Sequence, residues 1–162
     1  MIEFEIGDFE EIESKLAELT AFLTEVYVLG GYTPPEIASA MFAPQAVLAR
    51  GTLIIARDTN SQALAGSIIM VPHDSPACKF AQAGEIEIHL LAVKQAYRGQ
   101  HLGKRLVKEV IHRAQKSGQT KIILWTQTKM LVAQRLYESL GFERQSTFQI
   151  QDREFMLYHL QV

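Results

Sequence analysis

The segment from Glu85 to Gln127 constrains the fold more than any other part of the chain. It joins two β-type runs, EIEIHLLAV and KIILWTQ, through a glycine-containing turn and a helical stripe. Neighbouring strands connected through a helix run parallel, since a tight hairpin cannot bring the chain back to the end it left. In EIEIHLLAV, alternation puts Glu85, Glu87 and His89 on one face and Ile86, Ile88 and Leu90 on the other. Its last four residues are apolar throughout, as in a strand that becomes buried on both sides. Leu102, Leu106, Val110 and Ala114 recur at helical spacing, and Ser117-Gly118 ends that helix.

Around this βαβ unit the remaining patterns are local. Phe9, Ile12, Leu16, Leu19, Leu23 and Val26 form one helical stripe that Gly30-Gly31 stops. Thr33-Pro34-Pro35-Glu36 predicts a second helix to about Arg50, with Thr33 as cap and Glu36 as the far half of a capping box. TLIIAR (52–57) and ALAGSIIMV (63–71) read as a hairpin, and residues 72–83 as a loop. Val132, Ala133, Leu136, Tyr137 and Leu140 form another helical face, closed by Gly141. A final hairpin is predicted over residues 142–149 and 154–160. The order predicts an α/β chain, a single domain over residues 1–162, built on a mixed sheet.

Composition excludes several classes of function. Sixteen Lys and Arg against 18 Asp and Glu leave no basic excess for a nucleic-acid backbone. One cysteine, Cys78, gives neither a disulfide framework nor a cysteine-rich metal site. His89 and His101 have no second ligand at zinc-like spacing, so no metal is expected. The N-terminus lacks a signal-peptide pattern and no apolar run reaches membrane-spanning length, which predicts a cytoplasmic protein without a membrane partner.

The turn AYRGQHLGKRLV places a glycine turn before a helix N-terminus, where unpaired N–H groups and the helix dipole favour an anion. Only three residues separate Gly99 and Gly103, and Lys104 is followed by Arg105, so the turn is not a P-loop; the dinucleotide fingerprint G-x-G-x-x-G is absent too. What remains is Arg98-x-x-His101-x-Gly103-Lys104, a cradle of pyrophosphate size.

VKQAYRGQHLGKRLV resembles the cofactor loop of the GNAT superfamily of N-acetyltransferases, and AQRLYESLGF is similar to that family's second hallmark, a Leu-Tyr helix ending in Gly-Phe. The resemblance covers nearly the whole chain. It implies a mostly antiparallel twisted sheet of about six to seven strands flanked by about four helices, with a central parallel pair that splays to admit the cofactor. It also implies an acyltransferase that passes acetyl from acetyl-coenzyme A to a primary amine of a small molecule or a peptide. The pyrophosphate would lie on the N–H groups of Gln100, His101, Leu102, Gly103 and Lys104, beside Arg98 and Gly99. The pantetheine arm would pair with Leu91, Ala92 and Val93 and pass Met130 and Ala133. Two residues depart from the family pattern: His101 replaces a glycine, and Met130 an asparagine. They motivate the alternative of a coenzyme A-binding sensor without turnover.

For the chemistry, an amine with a pKa near 10.4 needs help in losing a proton. Glu87 is the candidate base, with ordered water as the alternative, and Tyr137 the candidate acid for the departing thiolate. Tyr27, Tyr32, Glu85, His89 and Trp125 are candidates for the acceptor side, or merely pack. Cys78 has no expected role. The closing strand EFMLYHL is expected to offer an edge for a homodimer.

Overall fold

The chain opens with a strand that the sequence reading does not contain. In a computed structural model describing residues 1–162, β1 (Phe4–Asp8) lies antiparallel to β2 (Thr52–Asp58). Helix α1 (Glu13–Thr24) starts later than the predicted stripe and runs on into a π-helical turn, Glu25–Leu29. The predicted second helix is two short ones, α2 (Pro35–Met41) and α3 (Pro44–Leu48). Pro44 breaks them, because it can neither donate to the preceding turn nor let its neighbour stay helical. Pro34, not Thr33, occupies the N-cap of α2 and no side chain caps it, so the expected capping box does not form.

The rest follows the predicted order. β3 (Leu64–Pro72), β4 (Glu85–Val93), α4 (Leu102–Lys116), β5 (Lys121–Gln127), α5 (Leu131–Ser139), β6 (Glu143–Ile150) and β7 (Arg153–Gln161) complete the chain. The sheet has seven strands in the order β1-β2-β3-β4-β5-β7-β6. All neighbours are antiparallel except β4 and β5, the pair joined through α4. β7 lies inside the sheet between β5 and β6, so the closing strand expected to pair with a second copy has no free edge; the open edges belong to β1 and β6.

Helices cover both faces. Leu102, Leu106, Val107, Val110 and Ala114 of α4 are buried against Ile54, Ile68, Ile86, Ile88, Ile122 and Leu124. Burying each large aliphatic side chain contributes on the order of 1.5–3 kcal/mol. The approach is close: a Cβ on Gly66 would stand 2.9 Å from Leu106 Cδ1. On the other face Leu19, Phe22, Leu23 and Phe42 pack over Leu53, Ile55, Ile69 and Val71.

Two irregularities in β4 create the site. Its ladder with β5 covers only Glu85, Ile86 and Glu87, opposite Lys121, Ile122 and Ile123, after which the two strands part. Its register with β3 then slips between Ser67 and Ile69, leaving an extra residue at Leu90, which has φ 49. Such a bulge reverses the alternation. Leu90, expected beside Ile86 and Ile88, instead joins the cluster under α1, while Leu91 and Val93 turn towards α4.

Candidate active site

Two cavities open where β4 and β5 part. The larger, 470 Å³, is lined by Leu91, Ala92 and Val93 of β4, by the turn into α4 and by the first residues of α5. The smaller, 260 Å³, lies between β4, β5, the start of β7 and the residues around α2 and α3. Tyr27, Leu91, Met130 and Ala133 line both, so the cavities meet in the gap between the strands. The π-helical turn sets this junction, because it carries Tyr27, whose hydroxyl donates to the Leu91 carbonyl at 2.7 Å.

The larger cavity ends in a row of free donors. The N–H groups of residues 99–104 have no acceptor in the protein; the first helical bond runs from Arg105 N–H to the His101 carbonyl. His101 is the N-cap of α4 at φ 60, and Gly99 lies at φ 77. These left-handed conformations curl the chain so that successive N–H groups converge, forming an anion nest. Histidine tolerates the conformation better than a β-branched residue does. Arg98, Gly99, His101, Leu102, Gly103 and Lys104 all line the cavity; Gln100 does not. A Cβ on Gly103 would lie 3.3 Å from Leu136 Cδ2, so glycine keeps this wall open. Tyr32 also lines this cavity, as do Val26, Tyr97, Lys129, Leu131, Val132 and Leu136, which the sequence reading did not select.

The smaller cavity gathers Tyr27, His89, Trp125 and Tyr137 from the predicted set. Tyr137 is 5% exposed, its hydroxyl has no protein partner, and burial raises its pKa so that the phenol stays protonated. The loop at Gly31-Tyr32 is tied over this region. Gln127 Nε2 donates to the Tyr32 carbonyl at 2.7 Å, and Lys129 Nζ to the Gly31 carbonyl at 3.0 Å.

Glu87 and Glu85 line neither cavity. Glu87 is 0% exposed and its carboxylate is enclosed by the loop before β4. It accepts from the N–H groups of Lys79 (2.9 Å), Phe80 and Ala81 (2.8 Å) and from the Cys78 thiol (3.3 Å). Its other oxygen lies 2.8 Å from His89 Nε2. Burial alone would raise its pKa, but the bonds from His89 and the three N–H groups outweigh that and hold it at about 2. Cys78 thus serves as a donor to Glu87, with burial raising the thiol pKa. Glu85 pairs with Lys121 at 3.1 Å.

Arg50 and Arg153, which no sequence pattern marks, also line the smaller cavity. Arg50 Nη1 lies 3.2 Å from His89 Nδ1. A guanidinium has donors only, so Nδ1 accepts, and His89 carries its proton on Nε2, directed at Glu87.

Residues 14–142 match the family model described as Acetyltransferase (GNAT) family. An uncharacterised N-acetyltransferase of Schizosaccharomyces pombe is 37% identical over 93 residues, 57% of this chain and 52% of that protein. Human N-acetyltransferase 8B is 29% identical over 62% of this chain and 47% of its own length. The chain therefore spans about half the length of the curated relatives it matches. Among solved structures, the Escherichia coli ribosomal-protein-S18-alanine N-acetyltransferase superposes with a TM-score of 0.72 at 19% identity, covering 98% of this chain and 94% of that one. A Bacillus subtilis acetyltransferase in complex with CoA superposes with a TM-score of 0.69 at 22% identity, covering 99% of each. At these identities the likeness is one of fold.

Proposed function

From a chain that belongs to the GNAT acetyltransferase family, we propose an N-acetyltransferase that binds acetyl-coenzyme A in the larger cavity and a primary amine in the smaller. The meeting of the two cavities at Tyr27, Leu91, Met130 and Ala133 carries this reading, since direct transfer needs two reactants held in contact.

The residues present fit the coenzyme. The free N–H row over residues 99–104 suits its pyrophosphate, with Arg98 and Lys104 on the cavity wall. Beyond Glu87, the edge of β4 that faces β5 has no partner strand; Ala92 pairs with Ser67 of β3, so the backbone groups of Leu91 and Val93 on either side of it are offered to the amide arm. Met130 stands at the N-cap position of α5 without a side-chain cap bond; its thioether accepts from the Thr126 hydroxyl at 3.5 Å and contributes packing where an asparagine would add hydrogen bonds. When bound, the coenzyme supplies an acetyl thioester whose carbonyl an amine can attack.

Each of the chain's own residues then has a limited task. A β4 N–H near Leu91 or Ala92 stabilises the oxygen on which charge develops. Tyr137, unpartnered and protonated, donates to the departing sulfur. Water in the smaller cavity removes the amine's proton. Glu87 acts as a positioning residue behind His89, because its carboxylate is enclosed and strongly acidic.

Calorimetry with acetyl-coenzyme A and ATP, followed by mass spectrometry with a panel of amines, tests the proposal. Micromolar coenzyme binding without ATP binding, together with N-acetylated product, is expected. Coenzyme binding without product from any amine would support the sensor reading that Met130 and His101 motivate, and no coenzyme binding would refute both.

A further inference from the structure

The smaller cavity is cationic and contains no acid. Arg50 and Arg153 both line it, and no carboxylate does. Neither arginine pairs with a carboxylate anywhere in the protein. Arg50 spends one N–H on His89, and its backbone is fixed by Ser75 Oγ, which donates to the Arg50 carbonyl at 2.7 Å. Arg153 opens β7 with its Nε buried and without a partner, its guanidinium 5.5 Å from the Phe155 ring centre. A buried N–H left unpaired is costly, and a guanidinium fork matches a carboxylate's two oxygens. Glu87 does not meet this need. Its oxygens are taken by the loop and by His89, and it reaches Arg50 only through the His89 ring.

We propose that the acceptor is a small amino-carboxylate, an amino acid with an apolar side chain, whose carboxylate is held by Arg50 and Arg153. The volume of 260 Å³ suits one amino acid, and Met41, Ile88, Leu90, Trp125, Ile150 and Phe155 give its side chain an apolar wall. Polyamines and aminoglycosides, which need acids to hold their ammonium groups, find none here. The identity of the amine as acceptor rests on the transfer reading above; the anion site does not.

Trp125 is the chain's only tryptophan and lines this cavity, so its fluorescence reports occupancy without turnover. The intact protein is titrated with leucine, isoamylamine (the same side chain and amine without the carboxylate), spermidine and phosphoethanolamine. Leucine is expected to bind about 10- to 100-fold more tightly than isoamylamine, the range that charge-assisted hydrogen bonds support. Arg153→Gln and Arg50→Lys should each erase most of that preference while leaving isoamylamine binding unmoved, with cooperative thermal unfolding as the check on folding. Equal binding of leucine and isoamylamine by the wild-type chain overturns the proposal, as does tighter binding of spermidine. Stronger binding of phosphoethanolamine overturns the carboxylate assignment in favour of phosphate. Leucine binding with no N-acetylleucine formed, while another amine of the panel is acetylated, overturns the amino acid as acceptor; no product from any amine sinks the transfer reading and leaves the anion site standing.

Discussion

Replacing Glu87 by Gln separates a residue that builds the site from one that performs its chemistry. A glutamate carboxyl that ordinarily titrates near 4.5 is held at about 2 here. At about 1.4 kcal/mol per tenfold change in proton affinity, the difference stabilises the folded state by about 3 kcal/mol at neutral pH. Because the folded-state value is depressed, this contribution is full above pH 4.5 and is lost as pH falls through about 2. Glutamine keeps one acceptor but turns an NH₂ group towards donors that the carboxylate had satisfied, among the N–H groups of residues 79–81, Cys78 and His89. For a chain of this size, about 3 kcal/mol lowers the Tm by roughly 6–12 °C. Thermal unfolding of wild type and Glu87→Gln from pH 7 to pH 2 should show that gap at neutral pH, closing with acid. A variant that melts within about 2 °C of wild type at pH 7 would refute the anchoring argument. Were its kcat also lowered about 100-fold, with the wild-type pH midpoint fixed across several amines, Glu87 would be restored as the base.

Three further outcomes follow from the geometry. Tyr137→Phe should lower kcat about 100-fold, with coenzyme affinity and Tm nearly unchanged because the hydroxyl has no protein partner; an unchanged kcat in steady-state assays removes it from the mechanism. If water takes the amine's proton, the pH at half-maximal kcat/KM should move with the pKa of the acceptor used. A midpoint fixed across several amines would instead reveal a protein base. His101→Gly should stabilise the fold by about 1 kcal/mol, by relieving a left-handed side-chain residue, and leave acetyl-coenzyme A affinity within about threefold. A large loss by calorimetry would mean that the imidazole, not the backbone, holds the anion.

The strong periodicities were legible. β4, α4, β5 and α5 follow their hydrophobic patterns to within a residue or two, since each buries a continuous stripe. β1 was not, because FEIGD offers only Phe4 and Ile6 as apolar residues and Gly7 interrupts them. The start of α1 is not legible, because Phe9 and Ile12 match the stripe's spacing while lying outside the helix. The turn before α4 was readable down to its free N–H groups, since glycine placement and helix start are local properties of the chain.

The charge of the smaller cavity is not legible in the sequence for a different reason, although Tyr27, His89 and Trp125 of its wall are. Alternation correctly set Glu87 and His89 on one face of β4, and a polar face on a strand reads as wet. Here His89 faces the smaller cavity while Glu87 is shut away, because a loop of small and polar residues carries Phe80 against Trp125 and Phe148 and turns its N–H groups onto Glu87. Loop residues have no periodicity to betray burial. Arg50 and Arg153 lie far apart in the chain at the ends of connections, and only the sheet order brings both to the gap beside β5. The turn proposed to hold the cofactor is local in sequence and its charge pattern can be read; the smaller cavity, proposed for the acceptor, is assembled from distant segments, so its charge emerges only with the fold.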